Sequence, residues 1–192
     1  MVPLKHLIAC MRKFSLDGMR VYAPISPDAM AGTDDCPSLQ QGKRYMSMTS
    51  QSGLTGLQQL RELAASGRKI AIGETLGFRL AEVVEGRAVF ESKPGRHLYS
   101  PIGTVHGGYA ATLLDSACAC AVHSRLGPTQ GLTTLELKVA YHHAITADTG
   151  LVRAEGRIVK FGRRAAFAEA RLTDAEGHLY ATATSTLLVF ER

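Results

Sequence analysis

His106–Arg125 reads HGGYAATLLDSACACAVHSR, and the architecture is best approached from this segment. Alanine, leucine and cysteine surround the helix it would form rather than making a stripe. A helix that is apolar all round is expected to be buried on all sides. Gly127-Pro128 ends the segment. Asp115 is the only charged side chain between His106 and Ser124.

The sequence on either side supplies strands to cover such a helix. Upstream, Leu76–Val84 and Arg87–Ser92 are strand-like and joined at Glu85-Gly86. Lys93–Val105, with Pro94, Gly95, Pro101 and Gly103, is a loop. Downstream come four long strands: Gly131–His142, Thr149–Val159, Arg164–Thr173 and Leu179–Phe190. The second alternates strictly, with Val152, Ala154, Gly156 and Ile158 set against Arg153, Glu155 and Arg157. Turns are expected at Phe161-Gly162 and Asp174–Gly177. A strand pair, one buried helix and a meander of antiparallel strands make an α+β domain whose sheet wraps around the helix.

The domain is expected to span 54–192. It opens with an amphipathic helix from Leu54 to about Ser66, with Leu57, Leu60, Leu63 and Ala64 on one face and Gly67 closing it. Residues 1–53 carry Pro3, Pro24, Pro27 and Pro37 and show no helix or strand period. They are expected to form an irregular, flexible extension, or not to belong to the native protein. Met46 and Met48, followed by a clean helix, resemble an ordinary protein start.

With 45% apolar residues among 192, the chain has the composition of a globular protein. No apolar run suits a membrane span and no secretory signal is recognisable, so a cytoplasmic protein is expected. Cys10, Cys36, Cys118 and Cys120 do not form a disulfide pattern. Cys118 and Cys120, two apart on a helix, point in nearly opposite directions and suit no shared metal. The net charge of +5 suits an anionic ligand. Tryptophan is absent and no basic stripe is interleaved with aromatics, which argues against nucleic acid.

A carboxylate inside an apolar helix is costly unless it has a partner or a task, so Asp115 is the first candidate for chemistry. His106-Gly107-Gly108 stands where the helix begins. Glycines there leave N–H groups accessible, and with the positive end of the helix dipole they suit an oxyanion. Gly107 and Asp115 are eight residues apart, about 12 Å along a helix axis. One small reacting group cannot touch both in one protomer. Two antiparallel copies of the helix bring Gly107 of one near Asp115 of the other, which predicts a dimer with composite sites. His142 and His143, adjacent on a strand, are expected to face opposite ways and to bind no metal.

SPIGTVHGGYAATLLD, the strand GLTTLELKVAY and the hairpin VKFGRRAAF resemble the hotdog-fold acyl-CoA thioesterases of the phenylacetate-pathway type, over roughly 76–190. The resemblance implies hydrolysis of acyl-CoA without a metal or separate cofactor, coenzyme A being part of the substrate. It implies a homodimer or dimer of dimers. Asp115 corresponds to the general base or nucleophile, Gly107 to the N–H that polarises the thioester carbonyl, and Thr133 to a water-placing hydroxyl. Ser100 stands where many relatives carry asparagine before Pro101. Lys160, Arg163 and Arg164 fall on a hairpin near the coenzyme A phosphates. His106 is expected to orient the loop or contact the ligand, with a structural hydrogen bond as an equal alternative. The alternatives are a hotdog dehydratase, whose local motifs are missing from this sequence, and a non-catalytic acyl-CoA-binding module.

Overall fold

A computed structural model describes residues 53–68 and 70–192, together with the backbone of 12–16 and 19–23. The chain divides into two compact units, Met1–Arg44 and Tyr45–Arg192. In the first, β1 (Arg12–Leu16) pairs antiparallel with β2 (Met19–Ala23), with Phe14 opposite Val21. The expectation of no strand before Gly53 is therefore corrected. Apart from these strands and Gly53, the reading of 1–53 falls on residues outside those described.

The second unit opens with α1 (Gly56–Ala65). Thr55 caps it in a reciprocal box. The Thr55 hydroxyl accepts from Gln58 N–H, and Thr55 N–H donates to Gln58 Oε1 at 2.8 Å. Leu60 and Leu63 are buried, as their spacing predicts. A six-residue helix, α2 (Ala71–Leu76), follows and ends on Gly77 at φ 77°. No reading of the sequence anticipated it.

Next come β3 (Phe78–Val84) and β4 (Arg87–Ser92), then α3 (Gly107–His123). After α3 run β5 (Gln130–Tyr141), β6 (Val152–Phe161), β7 (Ala165–Asp174) and β8 (Leu179–Glu191). One antiparallel six-stranded sheet forms in the order β3-β4-β6-β7-β8-β5. The strands fall close to where the sequence places them, except that β6 starts three residues later than Thr149, after a 3-10 turn at Ala147–Thr149.

The sheet's inner face receives α3. Val152, Ala154 and Gly156 are buried, and Arg153, Glu155 and Arg157 lie on the other face, as the alternation predicts. Small side chains dominate the inner surface: Ala166, Ala168 and Ala170 on β7, Ala181 and Ala183 on β8. They let the helix approach closely. At Gly156 an added Cβ would stand 2.3 Å from the carbonyl of Ala117, so only glycine fits.

On the outer face, Val89 has Glu82 and Glu155 as cross-strand neighbours and is fully buried. A ladder of ion pairs spans these strands. Arg87 bridges Glu82 at 3.0 Å and Glu155 at 2.6 Å, while Arg153 bridges Glu82 and, at 2.7 Å, Glu91. No helix among the described residues is long and apolar enough to cross a membrane.

One expectation about α3 is corrected. Leu113, Leu114, Ala117, Cys118 and Val122 are buried against the sheet. Gly108, Ala111, Thr112, Asp115, Ser116 and Ala119 form a half-open or open stripe along another side. These positions are small or polar, so they read as apolar by count without needing to be covered within one chain. Asp115 is half-buried rather than enclosed.

Candidate active site

The N-terminus of α3 is held from both sides. His106 is its N-cap, with extended φ −60° and ψ 132°, and its Nδ1 accepts from Gly108 N–H at 2.9 Å. His106 N–H donates to Leu98 O at 2.8 Å, and Tyr109 N–H donates to His106 O at 2.9 Å. The His106 ring thus makes a structural hydrogen bond at the start of the helix. Nδ1 must lack a proton to accept, which leaves the proton of a neutral ring on Nε2. Ser100 closes the preceding turn, where its N–H and hydroxyl both donate to Thr104 O, at 2.7 and 3.1 Å.

Among the described residues, nothing accepts from Gly107 N–H. It occupies the first helical position, where no acceptor within the helix exists. Gly107 lines a cleft of about 360 Å³ with Ile102, Tyr141, His142, His143 and Tyr180. Both histidines line this cleft, and their rings bond apart, His142 Nε2 lying 3.1 Å from Thr182 Oγ1 and His143 Nδ1 2.8 Å from Leu179 O. β5 ends at Tyr141, so strand alternation no longer governs the two residues after it. His142 N–H and His143 N–H instead both donate to Tyr180 O, at 2.8 and 3.2 Å.

Asp115 does not line that cleft. Its Oδ1 accepts from Thr134 Oγ1 at 3.0 Å. No basic side chain pairs with it among the described residues. Thr133, to which the resemblance gives the water-placing hydroxyl, is exposed and adjoins Thr134 on β5. Side chains alternate along a strand, so the residue facing the helix is Thr134.

Lys160, Arg163 and Arg164 are exposed at the β6–β7 turn, and none has an acidic partner among the described residues. Lys160 lines a cleft of about 510 Å³ with Arg87, Arg125 and Arg157, beyond the C-terminal end of α3. Arg163 and Arg164 do not line it. Within one chain, then, the open N–H, the carboxylate and the basic turn occupy three separate places.

Residues 102–181 match the model of the thioesterase superfamily. A conserved protein of Pseudomonas aeruginosa has a solved structure that is 30% identical, covering 62% of this chain and 94% of its own, with a TM-score of 0.58. The chain belongs to the thioesterase superfamily. A mutant of the phenylacetic acid degradation protein PaaI from Thermus thermophilus is 29% identical over 61% of this chain and 96% of that one, with a TM-score of 0.56. A 1,4-dihydroxy-2-naphthoyl-CoA hydrolase of Listeria monocytogenes is 24% identical over 62% of this chain and 96% of that protein. The six-stranded sheet around α3 is the hotdog fold of the superfamily.

Other reactive groups in this thioesterase fold have structural explanations. Cys118 and Cys120 are buried free thiols, and burial, with the Asp115 charge added, pushes both up to about 12. Neither supplies a thiolate nucleophile. Asp174, Glu176 and His178 bring three potential metal ligands within 4.8 Å of one another. Asp174, however, already accepts from Glu176 N–H, His178 N–H, the His178 ring and the Tyr180 hydroxyl, at 2.9 to 3.1 Å. That is a turn closed by its aspartate. Thr134 and Tyr141 were the residues that sequence reasoning passed over. Only a correct strand register finds the first, and only the contact between β5 and the helix start finds the second.

Proposed function

We propose that this protein hydrolyses acyl-CoA thioesters in sites composed from two copies of the chain. The observation that carries the reading is Asp115: half-open and, among the described residues, without a basic partner and held by one hydroxyl, from Thr134. A half-open carboxylate without a cationic partner stays available for chemistry. Here an oxygen remains free to take a proton from water or to attack a carbonyl.

The thioester oxygen accepts from Gly107 N–H at the positive end of α3, where negative charge develops as the carbonyl is attacked. Asp115 of the second copy activates water or attacks directly, and the coenzyme A thiolate leaves. Thr134 fixes the carboxylate's orientation. Lys160, Arg163 and Arg164 receive phosphates remote from the carbonyl. The second copy is called for by the separation of Gly107 from Asp115. It is also favoured by the small-residue stripe on α3 and by β5, whose outer edge has no partner strand among the described residues. The homologous hydrolase that acts on a naphthoyl-CoA supports a coenzyme A thioester as substrate.

The test is release of free thiol from a panel of acyl-CoAs, trapped with a chromogenic disulfide. Turnover of at least one acyl-CoA is expected. Binding without release indicates the non-catalytic module instead. The composite site is tested by mixing Asp115→Asn with Gly107→Pro protein under subunit exchange. Each variant retains what the other lacks, so mixing restores activity. A fully active monomer in light scattering and assay defeats the dimeric site.

A further inference from the structure

We propose that Tyr141 is a positioning residue, whose hydroxyl locks the Gly107–Gly108 peptide so that the Gly107 N–H stays aimed into the cleft. The inference rests on the function proposed above and adds a residue to that site.

Tyr141 is the last residue of β5, and its ring lies across the start of α3. A Cβ added to Gly107 would stand 3.1 Å from its Cζ. Its hydroxyl donates to Gly107 O at 2.9 Å. The N–H at the other end of the same peptide donates to His106 Nδ1 at 2.9 Å. Both polar ends of one peptide plane are therefore held by side chains from two different segments. The preceding peptide, which carries the Gly107 N–H, is held through its own carbonyl by Tyr109 N–H. Between the two planes stands a glycine, the residue with the widest backbone freedom. With the plane on each side fixed, that freedom is removed at the one place where the direction of an N–H matters.

Stability does not explain the contact. Tyr141 is 55% exposed, so its ring is not held in place by burial. The Gly107 carbonyl lies in the first turn of α3, where carbonyls accept within the helix, so the tyrosine occupies its second lone pair. An exposed hydrogen bond to a carbonyl that is already satisfied adds little to folding. It does constrain orientation, and oxyanion donors work through orientation set before the reaction.

Tyr141→Phe removes the hydroxyl and keeps the ring. Deleting an oxyanion donor costs 10²–10³-fold, and loosening one is expected to cost roughly tenfold in kcat. KM for acyl-CoA and Tm are expected to stay unchanged. A spectroscopic readout is available because Gly107–Gly108 is the only Gly-Gly pair in the sequence. In protein labelled with carbonyl-¹³C, ¹⁵N glycine, an HNCO spectrum holds one cross peak, correlating the Gly107 carbonyl with the Gly108 N–H. Tyr141→Phe is expected to move the carbonyl shift of that peak upfield. An unmoved peak overturns the proposal. So does an unchanged kcat in a wild type that hydrolyses acyl-CoA, or a loss of rate matched by a loss of Tm. Failure of the thioesterase reading looks different: wild-type protein releases no thiol, while the cross peak still reports whether Tyr141 holds the peptide.

Discussion

The two ends of α3 are built to opposite purposes. At the C-terminal end the polar groups find partners. Ser124, Arg125 and Leu126 N–H donate to Cys120, Val122 and His123 carbonyls, each at 3.0 Å, and the Ser124 hydroxyl donates to Ala121 O. Gly86 N–H donates to the Ser124 hydroxyl, and Gly56 N–H to Leu126 O. The buried His123 ring meets Gln59 Oε1 at 3.0 Å, while Gln59 Nε2 donates to Leu54 O. At the N-terminal end the cap and Tyr141 hold the backbone still but leave the Gly107 N–H open to a cleft. A helix end that seals the fold closes its hydrogen bonds, and one that serves a ligand leaves a donor free and fixes its direction. Asp115 lies between the two ends, on the half-open side.

If this division is right, changes at the open side alter rate without altering stability. Asp115→Asn is expected to lower kcat by 10²–10⁴-fold, the usual worth of a general base, at unchanged Tm. Rates within a few-fold of wild type remove Asp115 from the mechanism. Gly107→Pro deletes the open N–H at the first helical position, where proline suits the backbone, and its Cβ must shift the exposed Tyr141 ring, 3.1 Å away, by a few tenths of an ångström. His106 already has the extended backbone that a following proline demands. A loss of 10²–10³-fold is expected with little change in Tm. A large fall in Tm shows that this end also seals the fold.

The sealed end is expected to behave in reverse. At Gly56 an added Cβ would stand 1.8 Å from the His123 carbonyl oxygen, so Gly56→Ala must push α1 away from α3. Overpacking of this kind costs roughly 1–3 kcal/mol or more, read as a lower Tm. Turnover per folded molecule should persist. Acid probes the same end. Burial, with Arg192 adding, pushes the His123 pKa down to about 4, from an ordinary value near 6.5. Above pH 6.5 the ring is neutral folded or unfolded, and its environment contributes in full. As pH falls from 6.5 toward 4, the unfolded chain binds a proton that the folded chain refuses. Stability therefore drops by up to about 3 kcal/mol across that window, and this loss stops below it. Urea titrations between pH 7 and 4 measure the slope, and His123→Gln should flatten it. An equal slope in the variant assigns the acid sensitivity to other groups.

Much of this contrast was legible in the sequence. The bounds of α3, His106 before it, the β6 alternation and the solitary Asp115 follow from period and composition. The remainder depended on contacts distant in sequence, on register, or on a signal that was overlooked. Thr134, not Thr133, bonds Asp115, and only the strand register tells the two apart. The His123–Gln59 pair joins residues 64 apart, beyond any local pattern. α2, at six residues, is too short to show a period. Alanine and glycine counted as apolar made α3 look enclosed, although small residues on a half-open side need no cover. For β1 and β2 the signal was present: Asp17-Gly18 between Phe14 and Val21 is a strong two-residue hairpin signature.

The smallest expected effect belongs to the basic turn, outside both ends of the helix. Arg163 and Arg164 are exposed, have no acidic partner among the described residues, and stand apart from the cleft that Lys160 lines. Exposed ion pairs contribute about 0.2–1 kcal/mol, so each arginine-to-alanine change should raise KM for acyl-CoA by roughly 1.4- to fivefold. kcat should hold, because a phosphate remote from the carbonyl is bound alike in the ground and transition states. Two controls separate this role from a general charge effect. The KM increase should vanish with a short thioester that lacks the nucleotide. It should also shrink as salt rises, since exposed charges are screened over about 10 Å at 0.1 M. An unchanged KM in the Arg163→Ala/Arg164→Ala double variant removes the turn from the substrate site. A fall in kcat instead places it near the reacting carbonyl, closer to the open end of a helix than one chain allows.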